Sequence, residues 1–314
     1  MFNWISWLVA AIKALFVSKP VVVTVPTIIG GNTVPTAPVG EKYALLVGIN
    51  KYLEPGNDLQ GCVNDVMDMA DILTKKYGFK QDNIRILTDA RATQANIMER
   101  LEWLVSDTQP GDMLVWHYSG HGAQVRCRNG DELDDQKDEI ICPHDLDWDN
   151  PFTDDMIADY FKRVPEGSLL TFICDACHSG SMDRGMTNNP HYKKAKFIQP
   201  PPDIAWRSQG RDIKTKKFGQ KGFRSASSGN VHVTDLRDVL ISGCRDDQTS
   251  ADACFNGKYN GALTYSLLKA LQKDPSSLVQ WHTAASQCLV SEGHDQIPQL
   301  SGKSVNIDKA PFTW

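Results

Sequence analysis

The sequence lacks the signatures of several large functional classes. Its 314 residues carry a formal net charge of −5, so a broad basic surface for nucleic acid is not expected. No phosphate-binding loop of the GxxxxGK(S/T) type occurs, and no Gly-rich dinucleotide fingerprint follows the first apolar strand. Internal repeats are also absent from the sequence. These absences argue against nucleic-acid binding and against the common nucleotide sites.

The eight cysteines show no pattern of a disulfide framework. They are scattered along a long chain, and several lie inside apolar runs, whereas disulfide-rich scaffolds are short secreted chains. We therefore expect most of them to be buried and reduced. A reducing compartment, the cytoplasm, is the location that this expectation favours.

The N-terminal part of the chain lacks the long apolar run of a membrane-spanning helix. Residues 2–17 are apolar, but Lys13 interrupts them, and a span needs about 20 mostly apolar residues. A secretory signal would begin with a basic segment, which is missing. Membrane contact through a helix lying at the surface, or a helix docked on the protein itself, fits better. Residues 18–40 hold four prolines and three glycines and are predicted to be a linker, so the N-terminal unit is 1–40.

From residue 41 onward, apolar runs of strand length alternate with segments of helical spacing. The predicted strands are 43–50, 84–88, 112–119, 139–143, 168–175 and 239–243. The predicted helices are 58–77, 93–107, 154–163, 261–272 and 278–292. This order predicts an α/β fold with a mainly parallel central sheet and helices on both faces.

Two reactive side chains follow predicted strands. His121 stands between two glycines after the strand 112–119, and Cys177 follows the strand 168–175. In parallel sheets the reactive site lies beyond the carboxyl ends of the strands, so His121 and Cys177 can meet there. A thiol activated by a nearby imidazole is the arrangement that acyl transfer requires.

Other interpretations of the same segments stay open. His117 and His178 are also close in sequence, and His117 has the same strand parity as His121. Cys174 and Cys177 form a CxxC motif, which can indicate thiol–disulfide exchange. Because Cys174 lies within the apolar strand, we expect it to face the core, and this weakens the redox interpretation.

Five ordered blocks resemble metacaspases of type I, within the caspase-like clan of cysteine peptidases. Two of the blocks surround the reactive pair, and the other three lie after the first strand, at the late strand and near the C-terminus. The blocks are His117–Gly122, Asp175–Gly180, Gly61–Asp65, Ile241–Asp252 and Pro298–Ser301. The resemblance covers about residues 41–305 and implies a caspase-like sandwich. It divides 41–314 into a large-subunit-like part (41–183), a basic insertion (184–236) and a small-subunit-like part (237–314).

The resemblance implies a role for each matched position. His121 matches the catalytic histidine and Cys177 the nucleophile, and the N–H groups of Gly122 and Cys177 would form the oxyanion hole. No third acid of a triad is evident in the sequence.

The resemblance also implies a substrate pocket. Asp65 and Asp175 match its acidic residues, with Ser119 and Cys62 beside them. Two carboxylates in one pocket select a cation, which predicts protein or peptide substrates with Arg or Lys before the cut. Without the resemblance, Asp65 would be interpreted as part of a solvated helix face.

A calcium site is implied in the same way. The resemblance matches Asp138, Asp154, Asp155 and Asp183 to a site that stimulates activity, and carboxylate oxygens suit Ca²⁺. The nearby series Asp145, Asp147 and Asp149 is not an EF-hand loop, because Asn150 and Met156 replace the glycine and glutamate that such a loop needs.

The basic insertion is the main departure from a compact domain. It contains many lysines and arginines and a run of three prolines at 200–202. A flexible basic stretch would be a natural self-cleavage site for an enzyme that cuts after basic residues, although an uncut surface insertion is almost as well supported. The leading interpretation is thus a calcium-stimulated cysteine endopeptidase. An inactive caspase-like scaffold and a CxxC oxidoreductase are the alternatives. The resemblance implies a monomer.

Overall fold

Twelve strands and seven helices form the part of the protein that the computed structural model describes, residues 40–126, 137–178, 191–207, 238–245 and 248–313. The strands are β1 Lys42–Gly48, β2 Ile84–Thr88, β3 Met113–Ser119, β4 Gly122–Arg126, β5 Lys137–Ile141, β6 Phe152–Thr153, β7 Leu169–Asp175, β8 Tyr192–Ala195, β9 Val239–Ser242, β10 Ala251–Phe255, β11 Lys258–Gly261 and β12 Gln299–Ser301. The helices are α1 Cys62–Lys75, α2 Gln94–Val105, α3 Asp154–Phe161, α4 Pro202–Arg207, α5 Ala262–Leu271, α6 Leu278–Ser291 and α7 Ser304–Ile307.

A six-stranded sheet in the order β12-β9-β7-β3-β1-β2 lies at the centre. Neighbouring strands are parallel from β9 to β2, and only β12 pairs antiparallel, with β9. The central strands β1, β3 and β7 are buried along almost their whole length, which explains why they are continuous apolar runs in the sequence. The predicted α/β class with a mainly parallel sheet is confirmed.

Helices cover both faces of this sheet. Alternate residues of a strand point to opposite faces, so Leu45 and Trp116 pack with α2 and α3, whereas Leu46 and Val115 pack with α1, α5 and α6. Two apolar cores result, one on each side of the sheet. Helix α2 begins where the sequence predicts, because the Thr93 side chain accepts a hydrogen bond from the Asn96 N–H and caps the helix.

Two small sheets extend the carboxyl edge of the central one. Strands β4, β5 and β6 form one of them, and β11, β10 and β8 form the other. Of the six strands in these two sheets, only β5 was expected from the sequence. The prediction that the basic insertion is a flexible stretch is wrong for residues 191–207, because this segment forms β8 and α4 and places Lys196 in the interior.

Residues 1–39 lie outside the described residues, so the interpretations of the segment 2–17 and of the linker stay predictions. Within the ranges that the structure describes, no helix is long and apolar enough to cross a membrane.

Candidate active site

The segments after β3 and β7 meet at the carboxyl edge of the sheet, as the sequence predicts. Ser119 at the end of β3 pairs with Asp175 at the end of β7. The segments then stay close, since a Cβ atom on Gly122 would stand 2.3 Å from the main-chain oxygen of Cys177. Only glycine allows this approach, which explains the glycine after His121.

The orientation of His121 is fixed by two tyrosines and a carbonyl group. Its main-chain N–H donates to the Tyr52 hydroxyl at 2.8 Å, and its main-chain oxygen accepts from the Tyr118 hydroxyl at 2.7 Å. Nε2 lies 2.7 Å from the Asn57 main-chain oxygen, which can only accept, so Nε2 carries the proton. Nδ1 has no hydrogen-bond partner among the described residues. The Asn57 carbonyl therefore orients the ring, which is the role that the third acid of a catalytic triad would otherwise have.

Burial keeps this imidazole neutral. His121 has no exposed surface, and burial lowers its pKa to about 3. The main-chain oxygens of Asn57 and Lys196 act in the opposite direction and raise the pKa of the ring, but burial outweighs them. A neutral histidine with an unprotonated Nδ1 can accept a proton from a thiol, as a general base must.

The Cys177 thiol is equally buried and lies against the main chain of Ser250. Its Sγ accepts a hydrogen bond from the Ser250 N–H and donates to the Ser250 carbonyl at 3.3 Å. Ser250 precedes β10, so the small-subunit-like part of the chain completes the surroundings of the thiol.

The two predicted oxyanion-hole donors share one acceptor. The N–H groups of Gly122 and Cys177 each donate to the main-chain oxygen of Lys196, both at 3.1 Å. The Lys196 N–H donates to the Ser250 carbonyl at 3.0 Å, and the N–H of Ile198 donates to the Gly122 carbonyl at 3.0 Å. The chain around Lys196 thus runs across the site as an extended peptide, with a carbonyl at the point where the two donors converge.

The side chain of Lys196 fills the predicted pocket. It is fully buried, and Nζ lies 3.1 Å from Asp175 Oδ1 and 3.5 Å from Asp65 Oδ2. It also donates to the Ser119 hydroxyl at 2.8 Å. The structure therefore brings together Asp65, Asp175 and Ser119 around one ammonium group.

The ionisation of Asp65, Asp175 and Lys196 is interdependent, because Lys196 shifts the pKa of both carboxyl groups and each of them shifts the pKa of Lys196. Burial raises the pKa of Asp65 to about 7, although Lys196 opposes the rise. Burial also disfavours ionisation of Asp175, but the Lys196 ammonium and the hydroxyls of Ser250 and Thr264 outweigh it and lower its pKa. Burial disfavours the ammonium itself, yet Asp175 and other nearby acidic groups raise the pKa of Lys196 well above its usual range. Lys196 and Asp175 are therefore both ionised at neutral pH and form the ion pair of the pocket.

Fixed donors hold the carboxylates in place. Asp65 Oδ1 accepts from the Asn260 amide at 3.0 Å, and Asp65 Oδ2 accepts from the Gly261 N–H at 2.9 Å. Asp175 Oδ2 accepts from the Thr264 hydroxyl at 2.7 Å, and its Oδ1 from the Ser250 hydroxyl at 2.7 Å.

Gly261 forms one wall of the pocket. A Cβ atom here would stand 2.2 Å from both Asp175 Oδ2 and Lys196 Nζ. The pocket therefore has no room for a side chain at Gly261. The buried thiol of Cys62 contacts Ser119, and burial raises the pKa of this thiol.

The residues before Lys196 continue along the same surface. In β8, Ala195 pairs with Ala251 and Lys194 with Asp252, antiparallel to β10. The ammonium of Lys194 donates to the main-chain oxygens of Gly56 and Asp58, the latter at 3.1 Å. Strand β8 is thus held beside the site by main-chain pairing with β10 and by the ammonium of Lys194.

Of the competing residues, His117 and Cys174 face other surroundings, whereas His178 stays beside the site. His117 Nε2 is 3.1 Å from the Thr264 hydroxyl beneath the pocket, and burial lowers its pKa to about 3. His178 lies next to Gly122. Cys174 packs in the core, as expected, and burial raises its pKa. All seven cysteines in the described ranges are free, and five of them are buried.

The predicted calcium ligands are only partly described. The register of β5 and β6 brings Asp138 to the start of α3, where Asp154 and Asp155 lie, and Asp138 and Asp154 are buried. Asp183 lies outside the described residues. Across the described ranges, no three His, Cys, Asp or Glu side chains are gathered closely enough to hold an ion. Carboxylate donors fit Ca²⁺ chemically, and calcium binding stays a prediction.

Several site residues were missed by sequence reasoning. Tyr52 and Asn57 act through a hydroxyl and a carbonyl in a loop without a motif. Gly261 and Thr264 lie at the start of α5, in a segment that contains no motif typical of a functional site. Ser250 lies inside one of the matched blocks, so it could have been singled out there.

Comparison with known proteins agrees with this geometry. Residues 42–184 match the profile of the metacaspase peptidase C14 domain. Metacaspase-1 of Schizosaccharomyces pombe is 35% identical over 293 residues, which cover 83% of this chain and 67% of that protein. Metacaspase-1 of Meyerozyma guilliermondii is 35% identical over 295 residues, covering 83% and 69%. A solved protein of Geobacter sulfurreducens superposes with a TM-score of 0.62 at 26% identity and covers 87% of this chain and 98% of its own.

The fold and these matches define a cysteine-type peptidase of caspase-like architecture. The chain belongs to the metacaspase family. It spans about two thirds of the length of these fungal relatives.

Proposed function

We propose that the protein is a cysteine endopeptidase that cuts after lysine or arginine, and that its own chain keeps it latent. One observation carries the proposal. Lys196 places its ammonium between Asp65 and Asp175 while its carbonyl accepts from the N–H groups of Gly122 and Cys177. This is the placement that a substrate residue needs just before its scissile bond.

The chemistry follows from the positions of the groups. His121 Nδ1 takes the proton of Cys177, and the thiolate attacks the carbonyl carbon of the residue in the pocket. The N–H groups of Gly122 and Cys177 stabilise the oxyanion that develops. His121 then protonates the leaving amine, and in the second half it activates the water that hydrolyses the thioester. The Asn57 carbonyl keeps the ring in the required tautomer throughout.

The pocket supports the proposed preference for a cation. An aspartate side chain would face Asp65 and Asp175 and would be repelled, and a neutral side chain would leave buried charge unpaired. A guanidinium group could bind the two carboxylates with parallel hydrogen bonds. We therefore expect peptides with Arg or Lys before the cut to be hydrolysed and peptides with Asp to be left intact.

The same contacts of Lys196 would keep the enzyme latent and would place its own chain for the first cleavage. A peptide substrate cannot enter while Lys196 holds the pocket, because no surface of Lys196 is exposed. We expect the bond between Lys196 and Phe197 to be the self-processing site. Calcium would promote this step through Asp138, Asp154, Asp155 and Asp183.

The test is to incubate the full chain with and without Ca²⁺ and to map new termini by mass spectrometry. Cleavage after Lys196 should appear in the wild type and be lost in Cys177→Ala and in Lys196→Ala. Lys273→Ala, at an exposed lysine distant in sequence, is the matched control and should be cut normally. Fluorogenic peptides ending in Arg, Lys or Asp then measure specificity, and calcium dependence is measured in the same assays.

Two results would contradict the proposal. Cys177-dependent cuts that avoid Lys196 would remove the latency role of β8. A folded, processed chain that hydrolyses no basic peptide would favour a binding scaffold instead.

A further inference from the structure

A second thiol lies beside Cys177. Strands β7 and β9 are parallel neighbours with Cys174 paired to Ser242, so Cys177 and Cys244 leave the sheet at the same edge. The neighbouring Cys177 thiol, together with burial, raises the pKa of the Cys244 thiol well above its usual range. None of the catalytic steps above uses Cys244.

The surrounding main chain keeps the two thiols together. Cys177 Sγ accepts from the Ser250 N–H, and Cys244 Sγ donates to the carbonyl of Gln248 at 3.2 Å, two residues earlier in the same segment. Between the two loops, a Cβ atom on Gly243 would lie 3.2 Å from the carbonyl of Ala176. The loops are therefore packed directly against each other, and both thiols contact the same segment, 248–250.

We propose that Cys244 is a resolving thiol, which forms a disulfide with Cys177 when a hydroperoxide oxidises the site and so switches the peptidase off reversibly. The loss of activity rests on the proposed role of Cys177 as nucleophile, whereas the disulfide itself does not.

The reaction balances with the peroxide as the only oxidant. The Cys177 sulfur attacks one peroxide oxygen, the O–O bond breaks, and the products are Cys177 sulfenic acid and an alcohol or water. The Cys244 sulfur then attacks the sulfenic sulfur, an S–S bond forms, and water leaves with the thiol proton. Two thiols lose two electrons in total, and the peroxide gains them. An external dithiol reverses the step by exchange.

Cys244 is better placed for this role than Cys174, the other cysteine near Cys177. Cys174 lies inside β7 and packs in the apolar core on the face of Trp116 and Phe172. Asp175, the next residue, points to the opposite face, toward the pocket. A sulfenic acid on Cys177 that finds no partner thiol is oxidised onward to sulfinic acid, which a dithiol does not reduce.

The experiment treats the full chain, before and after its own processing, with hydrogen peroxide. Remaining thiols are alkylated, and nonreduced peptides are mapped by mass spectrometry. The half-exposed Cys288 reports that oxidant was sufficient. We expect a cross-linked peptide pair containing Cys177 and Cys244, and dithiothreitol should restore most of the lost activity. In Cys244→Ser we expect Cys177 sulfinic acid and little recovery, and the matched control Cys288→Ser should behave as the wild type.

Three results would overturn the proposal. The first is a cross-link from Cys177 to Cys174 in place of Cys244. The second is Cys177 sulfinic acid forming in the wild type as fast as in Cys244→Ser. The third is a Cys177 that stays reduced in both forms of the chain while Cys288 is oxidised. If Cys244→Ser does not fold, the wild-type map alone decides. A cross-link in a chain without peptidase activity would refute the proposed function and leave the redox pair intact.

Discussion

Replacing Gly261 with alanine tests the pocket most directly. The backbone of Gly261 has φ −67°, which alanine adopts without strain, so the substitution acts through its methyl group alone. That methyl carbon would stand 2.2 Å from Lys196 Nζ and from Asp175 Oδ2. No pair of non-bonded heavy atoms tolerates this distance, so a cationic side chain must withdraw from the pocket and the Asp175 carboxylate must shift.

The magnitude follows from the contacts that withdrawal breaks. The ammonium donates to the Ser119 hydroxyl at 2.8 Å and lies 3.1 Å from Asp175 Oδ1. A hydrogen bond that involves a charged group contributes about 1.5–3 kcal/mol, so losing two costs about 3–6 kcal/mol. Since each factor of ten corresponds to about 1.4 kcal/mol, kcat/KM for lysine peptides should fall by roughly 10²–10⁴-fold.

The assay compares kcat/KM of wild type and Gly261→Ala on peptides ending in Lys and Arg. The rate at which a small neutral alkylating reagent modifies Cys177, together with the melting temperature, shows whether the rest of the site is intact. Self-processing after Lys196 should stop as well. A variant with unchanged melting behaviour and nearly wild-type kcat/KM would refute the assignment of this pocket. If the variant unfolds, Asp65→Asn carries the same test, because it removes charge without adding volume.

Three further predictions concern the groups around the pair and the pocket. Because burial raises the pKa of Asp65 to about 7 even against the opposing effect of an ammonium, an empty pocket holds this proton to higher pH. Above pH 7, binding of a cation must then release the proton, so a lysine peptide should bind the double variant Cys177→Ala/Lys196→Ala, whose own chain puts no ammonium in the pocket, more tightly as pH rises. Additional Asp65→Asn should flatten this dependence in calorimetry. Tyr52→Phe removes the acceptor of the His121 N–H, which should cost about 1–3 kcal/mol of unfolding free energy and lower kcat more than it raises KM. A peptide ending in Lys-Ala-Lys should be cut faster than one ending in Ala-Ala-Lys, by up to about tenfold, because the ammonium of Lys194 donates to two carbonyls; equal rates would contradict this subsite.

The sequence predicts best the strands that are fully buried, because burial requires their residues to be apolar. Strands β1, β3 and β7 are enclosed on both faces, so they are mainly apolar, with His117 and Thr171 as the polar residues inside β3 and β7. The closeness of the segments that carry His121 and Cys177 follows from the parallel pairing of β3 with β7, because both residues come two positions after paired strand ends.

The rest depends on contacts that the sequence does not encode locally. Lys196 is one basic residue among many in its stretch, and only carboxylates 21 and 131 positions away explain its burial. Asn57 contributes a main-chain oxygen, which every residue type carries. Strand β8 is polar and would be interpreted as a loop from its sequence alone, because its strand conformation depends on pairing with the distant β10.

The proposed latency depends on how Lys196 is connected to the rest of the chain. An intramolecular occupant competes at an effective concentration on the order of millimolar or more, so an external peptide displaces it poorly. Lys196 is held from both sides, by β8 paired with β10 before the scissile bond and by Ile198 in the apolar core after it. Cleavage after Lys196 would cut the connection between these two anchors. Strand β8 then keeps its pocket contacts but loses the constraint that Ile198 supplies, so it can dissociate as an ordinary product while the segment beginning at Phe197 stays attached to the core. On this argument the cut activates the enzyme by removing a tether, and the catalytic residues need no rearrangement of their own.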